Sequence, residues 1–308
     1  MNNLMPFQKM ATFCGIDTNY QSLKPFGVLG IPADGATTNR SGARLGPAAI
    51  RQASLMLTDG VHEKYSHDLI NYAVDLGNLA LPTGDTNKML SQLEVYLSAL
   101  APSNYHYVAL GGDHSITLGL LRNIYKKYGS VGVVHFDAHC DTWSDHFGEK
   151  YGHGTWLRNA IDEKLVDPSM SISIGVRSPA DLESKNFLSN AGGKTINSRQ
   201  AMSYSPVQMA NIIINKTMSI YGTMKPTYLS LDIDCLDPAY APGTGTPEIG
   251  GLSTIWLSEL LDNLYNINWI GMDCVEVAPA YDHSEITSLA AATFCWQYLS
   301  LNIDKILK

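Results

Sequence analysis

Several short runs in this chain are apolar on both faces instead of on alternate residues: "FGVLGIP", "HYVALGG", "VGVVHFD", "SISIGVR", "TYLSLDID" and "WIGMDCVEV". A strand with one wet face alternates polar and apolar positions, whereas one buried on both faces does not, and such strands belong to parallel sheets. Between the runs lie segments of helical period, "NKMLSQLEVYLSAL", "ITLGLLRNIYKKYG", "PVQMANIIINKTMSIYG" and "TIWLSELLDNLYN". Two of these end in Gly, a common helix stop, and "SEITSLAAATFCWQYLSL" closes the chain as a packed terminal helix. Strand–helix alternation with no Pro- or Ser-rich linker predicts one α/β domain with a mainly parallel sheet over residues 1–308, of which 1–24 form an N-terminal arm.

Composition narrows what such a domain can do. Hydrophobic residues at 45% and charged residues at 16% describe a globular chain with a core. A formal charge of −8 argues against a nucleic-acid binder and agrees with a small cationic substrate. The opening "MNNLMPFQKMATFCG" lacks the basic and apolar regions of a secretory signal, and no apolar run approaches the ~18 residues of a membrane span. The 5 cysteines are odd in number and show no CxxC spacing, so no disulfide framework is expected and a reducing cytoplasm suits the chain.

Chemistry collects where the apolar runs end, which in a parallel sheet is where ligands gather. In "VHFDAHCDT", Asp137, His139 and Asp141 occupy every second residue, so in an extended chain their side chains leave on one face. "LDIDCLDP" places Asp232 and Asp234 on the same period, and "GGDHS" contributes His114, its paired glycines letting the chain pass close to whatever that histidine touches. Taken singly, His114 reads as a loop histidine and the aspartates as turn formers. Taken together, buried carboxylates at this density repel one another unless a cation neutralises them. Two imidazoles and four carboxylates suit a pair of hard-to-borderline divalent ions such as Mn²⁺, whereas a structural zinc site favours thiolates. Two ions about 3.5–4 Å apart can hold one water as hydroxide near neutral pH. His135 shares the parity of Asp137 but lies deeper, as a core or supporting histidine. Cys140 and Cys235, on the opposite parity, are expected to pack behind the ligands as small apolar residues.

"GGDHS", "HFDAHCDT", "SLDIDCLDPAYAPGTGTPEIGG" and "GMDCVEVAPAYDHSEITSLAAAT", in that order, resemble the ureohydrolases, the family of arginase, agmatinase and guanidinobutyrase. The likeness runs from "GARLGPAAIRQAS" to the last helix, and "PAYAPGTGTPEIGGL" with "VEVAPAYDHSEIT" looks most like the agmatinase pattern. The resemblance implies a three-layer α/β/α fold with a central parallel sheet and two Mn²⁺ ions per chain. It implies His114, Asp137 and Asp141 on one ion and His139, Asp232 and Asp234 on the other, with some carboxylates spanning both. Glu276 is implied as the carboxylate that takes the substrate guanidinium, a planar cation that prefers paired acceptors. His153, in "YGHGTW", matches the family's proton-shuttling histidine, and the flanking glycines would let it approach the substrate. Asp141, at the bridge, would hold the hydroxide's proton. The implied reaction is hydrolysis of agmatine to urea and putrescine.

One stretch departs from arginase: "WSDHFGEKYGHG" after Thr142 offers the acids Asp145 and Glu149 and no clamp for an amino acid's α-groups. The runner-up substrate is a guanidino acid such as 4-guanidinobutyrate or 3-guanidinopropionate. A non-catalytic guanidine-binding member of the same fold is the reading from another class, and a single-zinc deacetylase on a related fold stands behind it. Family resemblance also implies a homo-oligomer, a trimer or hexamer.

Overall fold

In the computed structural model, residues 11–18, 24–58, 61–100, 104–218 and 222–308 are described. The six doubly apolar runs become strands: β1 (Phe26–Ile31), β3 (His106–Gly111), β4 (Gly132–Phe136), β5 (Ile172–Val176), β7 (Thr227–Asp232) and β8 (Trp269–Val275). Two strands the sequence does not announce, β2 (Ala73–Asn78) and β6 (Lys194–Asn197), complete an eight-stranded sheet in the order β2-β1-β3-β8-β7-β4-β5-β6. All the pairings between these strands are parallel. The additional pair are the two edges. An edge strand has one neighbour and meets water, so "AVDLGN" and "KTIN" need not be apolar throughout, and they carry no continuous apolar signal.

The helices are α1 (Gly46–Ser54), α2 (Thr86–Leu100), α3 (Ile116–Tyr128), α4 (Trp156–Asp162), α5 (Leu182–Asn190), α6 (Ser198–Ser203), α7 (Pro206–Thr217), α8 (Thr254–Asn263) and α9 (Ile286–Leu307). They build two cores, one on each face of the sheet. Alternate strand residues such as Val108, Leu110, Phe136 and Leu231 pack with α1, α7, α8 and α9. Their neighbours Ala109, Val133, Tyr228 and Val275 pack with α2, α3 and α4. The result is three layers, helix–sheet–helix. Among the described residues no helix is long and apolar enough to cross a membrane.

Local signals explain most helix ends. Gly129, at φ 69, stops α3, as its place in the sequence suggests. α7 begins with a Ser205–Gln208 capping box and Pro206 in the first turn. It ends at Thr217, short of the expected Gly222, because Met218 is already extended at ψ 142. The terminal helix starts after two left-handed residues, Ser284 and Glu285. Of the expected N-terminal arm, residues 1–10 and 19–23 lie outside the described residues. The described part, 11–18, packs onto the sheet: Phe13 and Ile16 join the core, and the Phe13 amide donates to Asp75 at 2.8 Å.

The central strands β3, β8, β7 and β4 lie side by side, and β3 and β4, consecutive in the chain, are separated by two strands from its far end. That break in strand order is the kind of place where a parallel sheet opens a crevice. The glycines of "GGDHS" serve this backbone geometry. A Cβ on Gly112 would lie 1.8 Å from the Ala33 carbonyl oxygen, and one on Gly111 would lie 2.5 Å from the Val275 side chain. They admit neighbouring chain, and the Gly112 carbonyl accepts the amide of Glu276, the residue that the His114 amide touches.

Candidate active site and metal centre

The six expected ligand residues do converge, but not by the pleat of a strand. β4 stops at Phe136, and Asp137 to Asp141 form a tight loop in which Asp141 takes a left-handed φ of 53. Asp232 is the last residue of β7, while Asp234 sits in a 3-10 turn, Ile233–Cys235. The loops are stitched by their own acids. Asp232 Oδ1 accepts the Asp234 amide at 2.8 Å, and Asp234 Oδ1 accepts the Ala138 amide at 3.0 Å. From behind, Arg177 donates to the carbonyls of Asp234, Cys235 and Leu236. Cys140 and Cys235 are buried free thiols, as their parity suggests.

At the centre stands His114, 1% exposed, with Nδ1 3.1 Å from carboxylate oxygens of Asp137, Asp141 and Asp232. Its other nitrogen lies 2.8 Å from the Ser230 hydroxyl, which donates onward to Asp273 at 2.7 Å. A hydroxyl with its proton committed to a carboxylate receives the His114 Nε2–H, which leaves Nδ1 facing three carboxylates. One proton there could answer a single oxygen, whereas a cation answers all three. Burial presses the His114 pKa down, yet hydrogen bonds to the three aspartates hold it well above the ordinary imidazole value. The position attracts positive charge. Burial, with the charges of Asp234 and Asp137, likewise pushes Asp232 well above the usual carboxylate range.

Two overlapping groups have the spacing of a metal site: His114, His135, Asp137 and Asp141, and Asp137, His139 and Asp234. Asp137 belongs to both. His139 Nδ1 is 3.0 Å from Asp234 Oδ2 and 3.2 Å from Asp137 Oδ1. Asp232 meets the first group through His114, where the family pattern puts it with His139. His135 has both nitrogens engaged, one with Ser173 and the other with Asp137 at 2.8 Å, so it orients a carboxylate. Nitrogen and oxygen donors without sulfur fit a hard-to-borderline divalent ion.

His153 and Glu276 form a second unit. His153 Nδ1 is 3.0 Å from Glu276 Oε1, and Thr38 meets Nε2 with its hydroxyl at 2.9 Å. Burial works to lower His153, but the Glu276 charge and hydrogen bond outweigh it and raise the pKa to about 9. Glu276, 1% exposed, has a left-handed φ of 64, and burial raises its own pKa against the pull of His153. Its Oε1 also accepts the His114 amide at 2.9 Å, while Oε2 is buried with no hydrogen-bond partner. An unmet buried acceptor costs about 1–3 kcal/mol, and a guanidinium N–H would satisfy it.

A cavity of about 420 Å³ opens onto His114, His139, Asp141, Asp232 and His153. Glu276, Asp137 and Asp234 do not line it. Glu276 sits one layer behind, against His153.

The sequence model of the arginase family matches residues 24–300 of this chain. The chain belongs to the arginase family. This is the ureohydrolase family its motifs resemble, and the chain is an enzyme of that kind. It is 41% identical over 290 residues to the agmatinase of Cronobacter sakazakii, covering 93% of this chain and 90% of that protein. Among solved structures, proclavaminate amidino hydrolase from Streptomyces clavuligerus superposes with a TM-score of 0.90 at 34% identity, over 98% of this chain and 99% of that one. A hypothetical agmatinase from Burkholderia thailandensis gives 0.87 at 34% identity, over 97% and 92%.

Within this arginase-family site, sequence reasoning misses several supporting residues. Trp156, 1% exposed, donates its indole N–H to Asp141 Oδ2 at 2.7 Å and stacks on His114 with centroids 4.9 Å apart. Only its place three residues after His153 could have drawn notice, since a lone Trp in a helical segment reads as core. Thr38, far away in sequence, carries no local signal at all. The glycines beside His153 turn out to seat another ring: a Cβ on Gly152 or Gly154 would lie 2.5 or 2.6 Å from His146. They make room for His146, a contact that the sequence does not announce.

Proposed function

We propose that this enzyme hydrolyses a linear guanidino compound with a cationic tail, agmatine, to urea and putrescine. The observation that carries the reading is the lining of the catalytic cavity. Asp141, Asp145 and Asp232 contribute its acidic groups, and no Lys or Arg lines it. A guanidino acid would bring a carboxylate among carboxylates with no cation to meet it, whereas an ammonium tail finds Asp145 at the mouth. The agmatinase relative at 41% identity supports the same choice.

We further propose that His114, Asp137, Asp141, Asp232, His139 and Asp234 hold two divalent ions, manganese being well matched to the set, with Asp137 shared. When bound, such ions lower the pKa of a water to near neutrality and so supply the nucleophile. The chain's own residues do the rest. Asp141, fixed by Trp156, would hold the proton of the attacking hydroxide and so orient it towards the guanidinium carbon. Glu276, reached past His153 from the cavity, would take a guanidinium N–H on the unpartnered Oε2 while Oε1 stays with His153. His153, held by Glu276 and Thr38, delivers a proton to the leaving amine nitrogen. The whole chain acts as one ureohydrolase unit, and assembles as a homo-oligomer, which light scattering would test.

Urea release from agmatine, arginine, 4-guanidinobutyrate and 3-guanidinopropionate, after Mn²⁺ loading, tests the substrate. Agmatine should exceed arginine by at least about tenfold in kcat/KM, equivalent to about 1.4 kcal/mol. Faster turnover of a guanidino acid would overturn the cationic-tail reading. Metal binding without urea from any substrate would instead mean a non-catalytic guanidine binder.

A further inference from the structure

The catalytic cavity has a neighbour. A second cavity, about 640 Å³, runs alongside it, lined by the Gly35–Thr38 loop, the start of α2 and the Glu149–Gly152 stretch. The two share Thr38, His146 and Phe147 as lining. Thr38 is committed to His153, and Phe147 stands 94% exposed at a hairpin tip. The ring of His146 is the part of the wall that lies between them.

That ring is held by shape. His146 and Glu149 exchange backbone hydrogen bonds at 2.8 and 2.9 Å around a turn in which Phe147 and Gly148 both have positive φ, 52 and 89. This two-residue hairpin sets the ring onto the bare backbone of Gly152 and Gly154. The ring meets His153 edge-to-face at 5.3 Å and Trp143 at 5.9 Å. No side-chain hydrogen bond to the ring occurs among the described residues, and Nδ1 is buried without a partner. A histidine kept in place without bonds is filling space.

We propose that His146 is a specificity-determining residue, its ring a partition that ends the substrate pocket and so sets the length of tail the enzyme accepts. The neighbouring cavity presents Glu149 and Asp85, the latter also paired with Lys88, and no lining Lys or Arg. Opening the partition therefore gives longer cationic tails a place to go. The inference rests on the guanidino-hydrolase reading and adds the limit on tail length.

The test compares agmatine with homologues lengthened one methylene at a time, on Mn²⁺-loaded wild type, His146→Ala and His146→Phe. Wild-type kcat/KM should fall by about tenfold for a methylene too many. His146→Ala should flatten that fall, so that the longest homologue gains at least about tenfold relative to agmatine. His146→Phe restores a ring of similar size to the glycine seat and should keep the wild-type profile. Metal stoichiometry and melting curves certify each variant, and His146→Asn carries the test if the alanine variant does not fold. An unchanged length profile in the smaller variants overturns the proposal, as does a phenylalanine variant that behaves like alanine. If wild type turns over guanidino acids and not amines, the cationic-tail reading fails by itself, and the same variants on an acid series still decide the partition.

Discussion

At the β1–β2 edge, Asp75 is 2% exposed, as deeply buried as the aspartates of the metal centre, yet both its oxygens are met from within the chain. Arg51 reaches it with Nε at 2.7 Å and Nη2 at 2.8 Å, and the amides of Phe13 and Gly77 complete the set. The remaining Arg51 nitrogen donates to Asn78 at 2.6 Å. At the carboxyl ends of β3, β4 and β7, Asp137, Asp141 and Asp232 instead crowd one imidazole nitrogen, with no Arg or Lys among the cavity lining. The first site carries its cation in the sequence. The second is built to take one from outside. A chain breaks the rule of paired buried charge where function needs the gap.

The widest separation should come from removing the built-in cation. Arg51→Met strands Asp75 in the core, and breaking a buried pair in this way costs about 3–5 kcal/mol. Urea-induced unfolding should show that loss, while the protein that remains folded keeps its full metal content. If metal and stability fall together, the two sites are coupled and the contrast is wrong.

The converse change comes next. Asp234→Asn should lower kcat/KM by about a hundredfold or more through loss of a ligand, with little effect on the melting point of the metal-free protein, where one like charge fewer relieves repulsion. Chelation should abolish activity in the unmutated enzyme and lower its midpoint, and Mn²⁺ at about a hundred times its Kd should return about 2.7 kcal/mol. A metal-free Asp234→Asn protein that is much less stable than the metal-free parent would show that the cluster is finished internally after all.

A smaller effect belongs to Trp156. Trp156→Phe keeps the stacking on His114 and removes the N–H that fixes Asp141, so metal affinity should weaken by about tenfold at nearly unchanged stability. Mn²⁺ titration followed by paramagnetic relaxation of water protons reads this directly. Unchanged affinity would make the indole a packing residue only.

The mildest test is pH. His153, raised to about 9 by Glu276, stays charged and paired with it at neutral pH, so an incoming guanidinium competes with an internal cation. As pH rises through about 9 the histidine loses its proton, Glu276 is freed, and KM should fall by a few-fold. In Glu276→Gln the largest opposing charge is gone, burial acts on His153 against only the charges of Asp141 and Asp113, and that limb should move to lower pH as overall rate drops. A limb that stays in place belongs to another group.

How much of this could be read in advance follows the chemistry. The central strands were legible because burial on both faces leaves continuous apolar runs, and the edges β2 and β6 were not, because water beside them removes that signal. His114, Asp137, His139, Asp141, Asp232 and Asp234 stood out as dense charge after apolar runs. The reason given by spacing was incomplete: Asp141 reaches the centre through a left-handed turn and Asp234 through a 3-10 turn, not along a pleat. Thr38, Trp156 and His146 were invisible for a different reason. Their roles exist only once the Gly35–Thr38 loop, α4 and the hairpin come together, and no local pattern records such a meeting.

The strand order also has a consequence for synthesis. β8, the last strand made, lies between β3 and β7, pairing Val108 with Met272 and Leu229 with the same residue on its other side. Until it arrives, the part of the sheet that carries His114 and the part that carries Asp137 and Asp232 have no strand-to-strand backbone pairing between them. Such long-range pairing is slow to form and comes late. A growing chain therefore cannot close the metal centre early, and a polypeptide cut short before Trp269 would hold its ligands on two unjoined fragments of sheet.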